Sequence, residues 1–187
     1  MSDKRYTYAD YLKFEGPERC QLINGEVFMM ASPSVAHQAL LVELLNRFYN
    51  WLEGKPCRVF IAPLDVRLFP EDDNSDDTVV QPDLLVVCDK DKLGKGSVNG
   101  PPDLVVEIIS PSNTHGELFY KFQYYLEAEV REYWVIEPEE KRIQVHVFDN
   151  GRYLSTAYKE NVRIPVTVLP GLEVDFESLW ARIPEIF

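Results

Sequence analysis

The chain has 187 residues and a formal net charge of −12 at pH 7, with 45% hydrophobic and 12% aromatic residues. This is the composition of a folded globular protein, long enough for one domain with a sizeable core, and not that of a disordered chain. The charge argues against general affinity for nucleic acid, which comes from neutralising phosphates with basic residues. No run approaches the ~20 apolar residues of a membrane span.

The N-terminal stretch MSDKRYTYADYLKF lacks a long apolar core and a small-residue cleavage site, so the expectation is a soluble, cytoplasmic protein without a signal peptide. TYADYLKF predicts a short helix, with Thr7 as N-cap and Tyr8, Tyr11 and Leu12 at helical spacing. CQLINGEVFMMAS has two apolar stretches around Asn24-Gly25, a tight-hairpin signal. From about Ser34, Leu40, Leu41, Leu44, Leu45, Phe48 and Leu52 recur at three and four, predicting a helix that ends near Gly54. CRVFIAPLDVRLF is β-rich, and PEDDNSDDT predicts an exposed acidic loop.

QPDLLVVCD and DLVVEIIS are short and dense in aliphatics, which suits central strands covered on both faces. GELFYKFQYYLEAEV predicts a helix. REYWVIEPEEKRIQVHVFDNGRYLSTAYK predicts three successive strands turning at Pro138–Lys141 and Asn150-Gly151. The tail, VTVLPGLEVDFESLW, predicts a short strand and a terminal helix. The order implies α/β or α+β, with α/β preferred: one domain over 1–187, a mixed central sheet flanked by helices, and an N-terminal helix-hairpin-helix segment. Cys20, Cys57 and Cys88 form neither a CxxC nor a zinc-like spacing with His37, His115 or His146. All three are expected to be reduced, partly buried apolar residues.

The chemistry-bearing position is Glu107, in the middle of DLVVEIIS. A lone ionised carboxylate in a dry strand costs several kcal/mol. Glu107 must therefore face water at the strand's end, pair with a buried base, or ligate a hard cation. Twenty-four residues earlier, Asp83 opens the equally apolar strand of QPDLLVV. Fourteen residues later, Lys121 shares a helical face with Glu117 and Tyr125; the plainer reading there is a surface Glu–Lys pair worth about 0.3–0.5 kcal/mol. Two carboxylates on neighbouring strands can hold Mg²⁺ or Mn²⁺. The ion would acidify a bound water and stabilise charge developing on phosphorus, and a nearby ammonium would orient the attacking water. An array of acid, acid and lysine thus suits phosphodiester hydrolysis.

This pattern resembles the PD-(D/E)xK nuclease superfamily and, more closely, the Uma2 family of restriction-endonuclease-like proteins. The resemblance covers roughly residues 7–180. It is carried by YADYL, QLINGEV (ELINGEV-like), SPSVAHQ, APLDVRL, QPDLLVV, PDLVVEIISPS, the helix with Lys121 and Tyr125, and VREYWVIEP. It implies a restriction-endonuclease-like fold and a Mg²⁺- or Mn²⁺-dependent endonuclease acting on DNA. Asp83 and Glu107 would be the metal-holding acids, and Lys121 would complete the catalytic set. The superfamily pattern puts a lysine two residues after the second acid, where Ile109 stands; in Uma2-like proteins the following helix supplies it, and Lys121 matches. Position 117, Asp in many relatives, is Glu. A catalytically inactive binding module of the same fold stands as the alternative, and a smaller phosphoester as an alternative substrate. A homodimer is expected, since a two-fold pair can cut both strands of a duplex.

The accessory candidates are Glu26, His37 and Tyr125. His37 follows SPSVA and either supports the helix or leans toward the metal. Glu26 follows the Asn24-Gly25 turn and either points into the site or faces solvent. Tyr124 and Tyr125 read first as packing residues. Asp65 reads as a cross-strand partner of an arginine. Ser110 and Ser112 are expected to break the strand and cap the next helix. Lys90, Lys92 and Lys95 could form a local basic patch.

Overall fold

A computed structural model describes residues 4–15, 19–109 and 115–183. The elements are α1 (Tyr8–Tyr11), β1 (Cys20–Ile23), β2 (Glu26–Met29), α2 (Val35–Leu52), β3 (Arg58–Ile61), β4 (Asp65–Arg67), β5 (Val79–Val80), β6 (Leu84–Val87), β7 (Ser97–Asn99) and β8 (Leu104–Ile108). They continue with α3 (His115–Glu127), β9 (Glu132–Glu137), β10 (Arg142–Asp149), β11 (Arg152–Lys159), β12 (Arg163–Pro165), β13 (Glu173–Asp175) and α4 (Phe176–Trp180). Among the described residues no helix is long and apolar enough to cross a membrane.

Local signals account for the helix starts and tight turns. Thr7 caps α1 in a reciprocal box with Asp10, each side chain accepting from the other's backbone N–H. The Ser34 hydroxyl accepts from His37 N at 3.1 Å and starts α2. Two residues past that helix Gly54 takes a positive φ, +73°, which a side chain would resist. Asn24-Gly25 and Asn150-Gly151 both have positive φ, as a two-residue hairpin turn requires, and they join β1 to β2 and β10 to β11.

The expectation of a single central sheet is corrected. Two larger sheets form, one in the order β2-β1-β5-β4-β7 and one in the order β11-β10-β9-β8-β6-β3, with β12 and β13 paired separately. Each larger sheet is mixed: β4–β7 and β8–β9 are parallel, and the other pairs are antiparallel. The six-stranded sheet is covered on both sides, as its aliphatic strands require. Leu104, Val106 and Ile108 of β8 pack with Leu84, Val86, Trp134 and the apolar stripe of α2 and α4. The alternate residues Val105, Leu85 and Tyr133 face Tyr125 of α3, Ala128 just past its end and, from the other sheet, Ile23, Val66, Val80 and Val98. Glu107 has the parity of Val105, so its carboxylate enters this second layer.

Two further expectations are corrected. Cys57 and Cys88 form a disulfide, leaving Cys20 as the free, half-buried cysteine. The cause is register: β3 pairs antiparallel with β6 through Arg58↔Val87, and one step further sets Cys57 opposite Cys88. The acidic loop is not wholly exposed either. Asp76 is buried and forms a two-pronged ion pair with Arg67, whose guanidinium also lies 4.3 Å over the Tyr8 ring.

Glu132 is a buried carboxylate with a structural task. It accepts from Trp134 Nε1 and from Val168 N, both at 2.8 Å, tying β9 to the segment before β13. Burial pushes its pKa up against those bonds. Glu132→Ala leaves two buried donors unpaired and is expected to lower unfolding free energy by ~2–4 kcal/mol in urea titrations, while Glu132→Gln, which keeps an acceptor, loses less.

Candidate active site

The antiparallel register of β6 and β8 brings the two acids together. Leu84 pairs with Val106, so the next step puts Asp83 opposite Glu107 on the same face. Asp83 Oδ2 accepts from Ile108 N at 2.7 Å, which fixes its side chain across the end of β8. Its other oxygen, Oδ1, faces His37 Nε2 at 3.2 Å. His37 is buried, and its Nδ1 has no partner among the described residues. A proton on Nε2 would be donated to Asp83, which ties the ring to the acid from the α2 side.

From the other side, α3 presents Glu117, Lys121 and Tyr125 at successive turns. Lys121 Nζ lies 3.0 and 3.1 Å from the two oxygens of Glu107, and the Tyr125 hydroxyl donates to Oε1 at 2.7 Å. Lys121 also meets Glu117 Oε1 at 3.7 Å. Glu107 is 5% exposed and Lys121 2%, so this is a buried ion pair and not the weak surface pair that spacing alone allows. Tyr125 is fully buried, a packing residue whose hydroxyl is also a ligand to the central acid.

Burial is the strongest influence on Glu107. It raises the carboxyl pKa to about 7; Lys121 and Tyr125 oppose the rise, and Asp83 adds to it. For Lys121 burial favours the neutral amine, but Glu107 and Glu117 outweigh it and the pKa is raised. Tyr125 is held well above the usual phenol range by burial and by Glu107.

These groups open onto one cleft of about 120 Å³, lined by Asp83, Glu107, Lys121, Glu117 and His37 together with Arg19, Gln21 and Gln81. The last three were not singled out by sequence. Gln21 is buried; its amide donates to Glu117 Oε1 at 3.3 Å and its oxygen accepts from Gln81 N at 2.9 Å. The signal that could have found Gln21 and Gln81 is the one that found Glu107: a polar side chain inside an apolar strand run.

Glu26, by contrast, is exposed and does not line the cleft, so the accessory position proposed for it is corrected. In the β1–β2 hairpin it sits beside the turn, opposite Ile23, while Gln21 on the other strand reaches inward. Among the described residues Asp65 has no arginine partner; it accepts from Tyr11 OH at 3.0 Å and Gln81 Nε2 at 2.8 Å. Tyr124 is half-buried and packs edge-on against Phe69. Lys90 and Lys95 are exposed, Lys92 donates to Pro101 O, and none of the three lines the cleft. Ser110 and Ser112 lie outside the described residues. Among the described residues, no group of three or more His, Cys, Asp or Glu stands close enough to cage a metal ion.

The fold class is a mixed α/β protein, and the same fold is found in a solved structure. That structure, described as "a putative nuclease belonging to DUF820" from Anabaena variabilis ATCC 29413, superposes with a TM-score of 0.77, covering 96% of this chain and 99% of its own at 19% identity. The chain belongs to the Uma2 family, described as "Putative restriction endonuclease", whose profile matches residues 7–177. An uncharacterized protein of Synechocystis sp. PCC 6803, slr1290, is 25% identical over 159 residues, which cover 83% of this chain and 81% of that protein.

The raised carboxyl makes a direct prediction. Carboxyl ¹³C NMR of Glu-labelled protein is expected to show one resonance titrating near pH 7, absent in Glu107→Gln and moved higher in Lys121→Met, which removes the opposing ammonium. The same shift means that the contribution of Glu107 to stability is full below about 4.5, its unfolded value, and is lost as pH rises through about 7.

Proposed function

We propose that this protein is a Mg²⁺- or Mn²⁺-dependent endonuclease that hydrolyses phosphodiester bonds of DNA, built on a restriction-endonuclease-like fold. The observation that carries the reading is the convergence of Asp83 and Glu107 from adjacent strands on one cleft, with Lys121 lying on Glu107. Family membership supports a nucleic-acid substrate.

The donor set fits a hydrated ion. Mg²⁺ retains several waters and needs only one or two carboxylates, so a three-residue cage is not required. Asp83 and Glu107 would hold it, since both carboxylates line the cleft from adjacent strands. When bound, the ion supplies an acidified water and charge stabilisation at phosphorus.

The protein's own groups do the rest. Ile108 N–H and His37 hold Asp83 in one orientation, and Tyr125 holds Glu107. Lys121 provides a fixed, desolvated positive charge that offsets charge developing on the transferred phosphate and can orient an attacking water by hydrogen bonding. Glu117, whose Oε1 accepts from the Gln21 amide, adds a second and longer contact to the ammonium.

The engagement of both Glu107 oxygens by Lys121 supports a second reading, an inactive binding module whose ion pair is structural. Calorimetry with Mn²⁺ and nicking of supercoiled plasmid separate the two. The expected result is a Mn²⁺ site absent from Asp83→Asn, with nicking reduced at least ~100-fold in Asp83→Asn and Lys121→Met and abolished by EDTA. Absence of both Mn²⁺ heat and nicking in the wild type selects the inactive module, and nicking that survives EDTA sinks the metal mechanism.

A further inference from the structure

We propose that Arg19 is the phosphate-gripping residue of this cleft, held ready by Gln81; the inference rests on the phosphodiesterase reading above. A chain with net charge −12 cannot draw a polyanion by its overall field, so the substrate's phosphate needs a cation inside the cleft. Lys121 cannot serve as the first contact, because Glu107 and Glu117 already enclose it in the interior. Arg19 is the other Lys or Arg side chain on the cleft lining, and it stands at the exposed rim.

Its placement is built and not incidental. Arg19 Nη2 donates to Gln81 Oε1 at 2.8 Å. The amide of Gln81 is in turn anchored by Asp65 Oδ1 at 2.8 Å and Tyr11 OH at 3.1 Å, and its backbone N–H by Gln21 Oε1. The backbone of Arg19 is tied by its carbonyl to Met30 N at 2.8 Å. One nitrogen is therefore spent on holding the side chain, while Nη1 and Nε have no partner among the described residues. A guanidinium keeps two donors in fixed geometry for phosphate oxygens, which a lysine does not. The cleft, about 120 Å³, is smaller than the ~300–1,000 Å³ of sites that enclose a drug-sized ligand. A grip on phosphate oxygens assigns Arg19 a backbone contact without sequence preference.

The test uses fluorescence anisotropy of a fluorescein-labelled duplex DNA of about 20 base pairs, with Ca²⁺ in place of Mg²⁺, over a salt series. Arg19→Ala is expected to weaken binding about tenfold at low salt and to reduce the slope of log K against log salt by about 1. Arg19→Lys restores the slope but not the full affinity. Gln81→Leu, which frees the guanidinium, weakens affinity while leaving the slope, and in nicking assays raises KM more than it lowers kcat. The remote, exposed Arg152→Ala controls for one lost charge and should change neither quantity. An Arg19→Ala protein that folds by circular dichroism and binds as the wild type does, with an unchanged slope, overturns the inference even if the wild type nicks DNA. Arg19-dependent binding without Mg²⁺-dependent nicking leaves the phosphate grip standing and overturns the catalytic reading instead. A wild type that does not bind the duplex overturns both.

Discussion

The structure around the cleft depends on one interaction, the carboxylate of Glu107 held between Lys121 and Tyr125 in a dry layer. Neither charge could stay in that layer alone, since removing one partner leaves the other buried and uncompensated. The pair therefore dictates how α3 lies on the sheet: with the Lys121–Tyr125 face turned inward over β8. Hydrophobic residues of α3 would accept several rotations; the ion pair accepts one. Its strength as a stabiliser is modest after desolvation, but its geometric demand is strict.

That demand is supported by polar residues that seldom reach water. Gln21 and Gln81 bridge the five-stranded sheet to α3 and to the rim of the cleft, and Asp83 closes the end of β8 through Ile108 N–H. The interior is thus apolar apart from Glu132 on the α2 side of the six-stranded sheet, and more polar on the α3 side, where Glu107 and Lys121 lie. One sheet separates two kinds of core, and alternation along each strand assigns residues to one or the other.

Much of this was legible in the sequence because it is local. Thr7 as a cap, the start of a helix near Ser34, the Asn-Gly turns, the buried strand around Glu107 and the shared face of Glu117, Lys121 and Tyr125 all follow from spacing within a few residues. What was not legible depends on distant pairing. The split into two sheets hangs on short pairings such as Leu22↔Val79 and Val66↔Val80, too brief to leave a pattern. Cys57 and Cys88 meet only because β3 and β6 run antiparallel in one particular register. The sequence left Glu26 between the site and solvent; alternation within β1 and β2 settles it, leaving Glu26 exposed and Gln21 buried.

The passage from β5 to β6 gives the molecule a mechanical property. Val80 closes one sheet and Leu84 opens the other, so the strand switches sheets over the three residues Gln81, Pro82 and Asp83, two of which line the cleft. Proline fixes one backbone angle in that crossing. Sliding of either sheet over its neighbour would displace distant loops far more than it would part Gln81 from Asp83. The cleft thus straddles the crossing between the two sheets, and its Gln81 and Asp83 are held together by the continuous chain there.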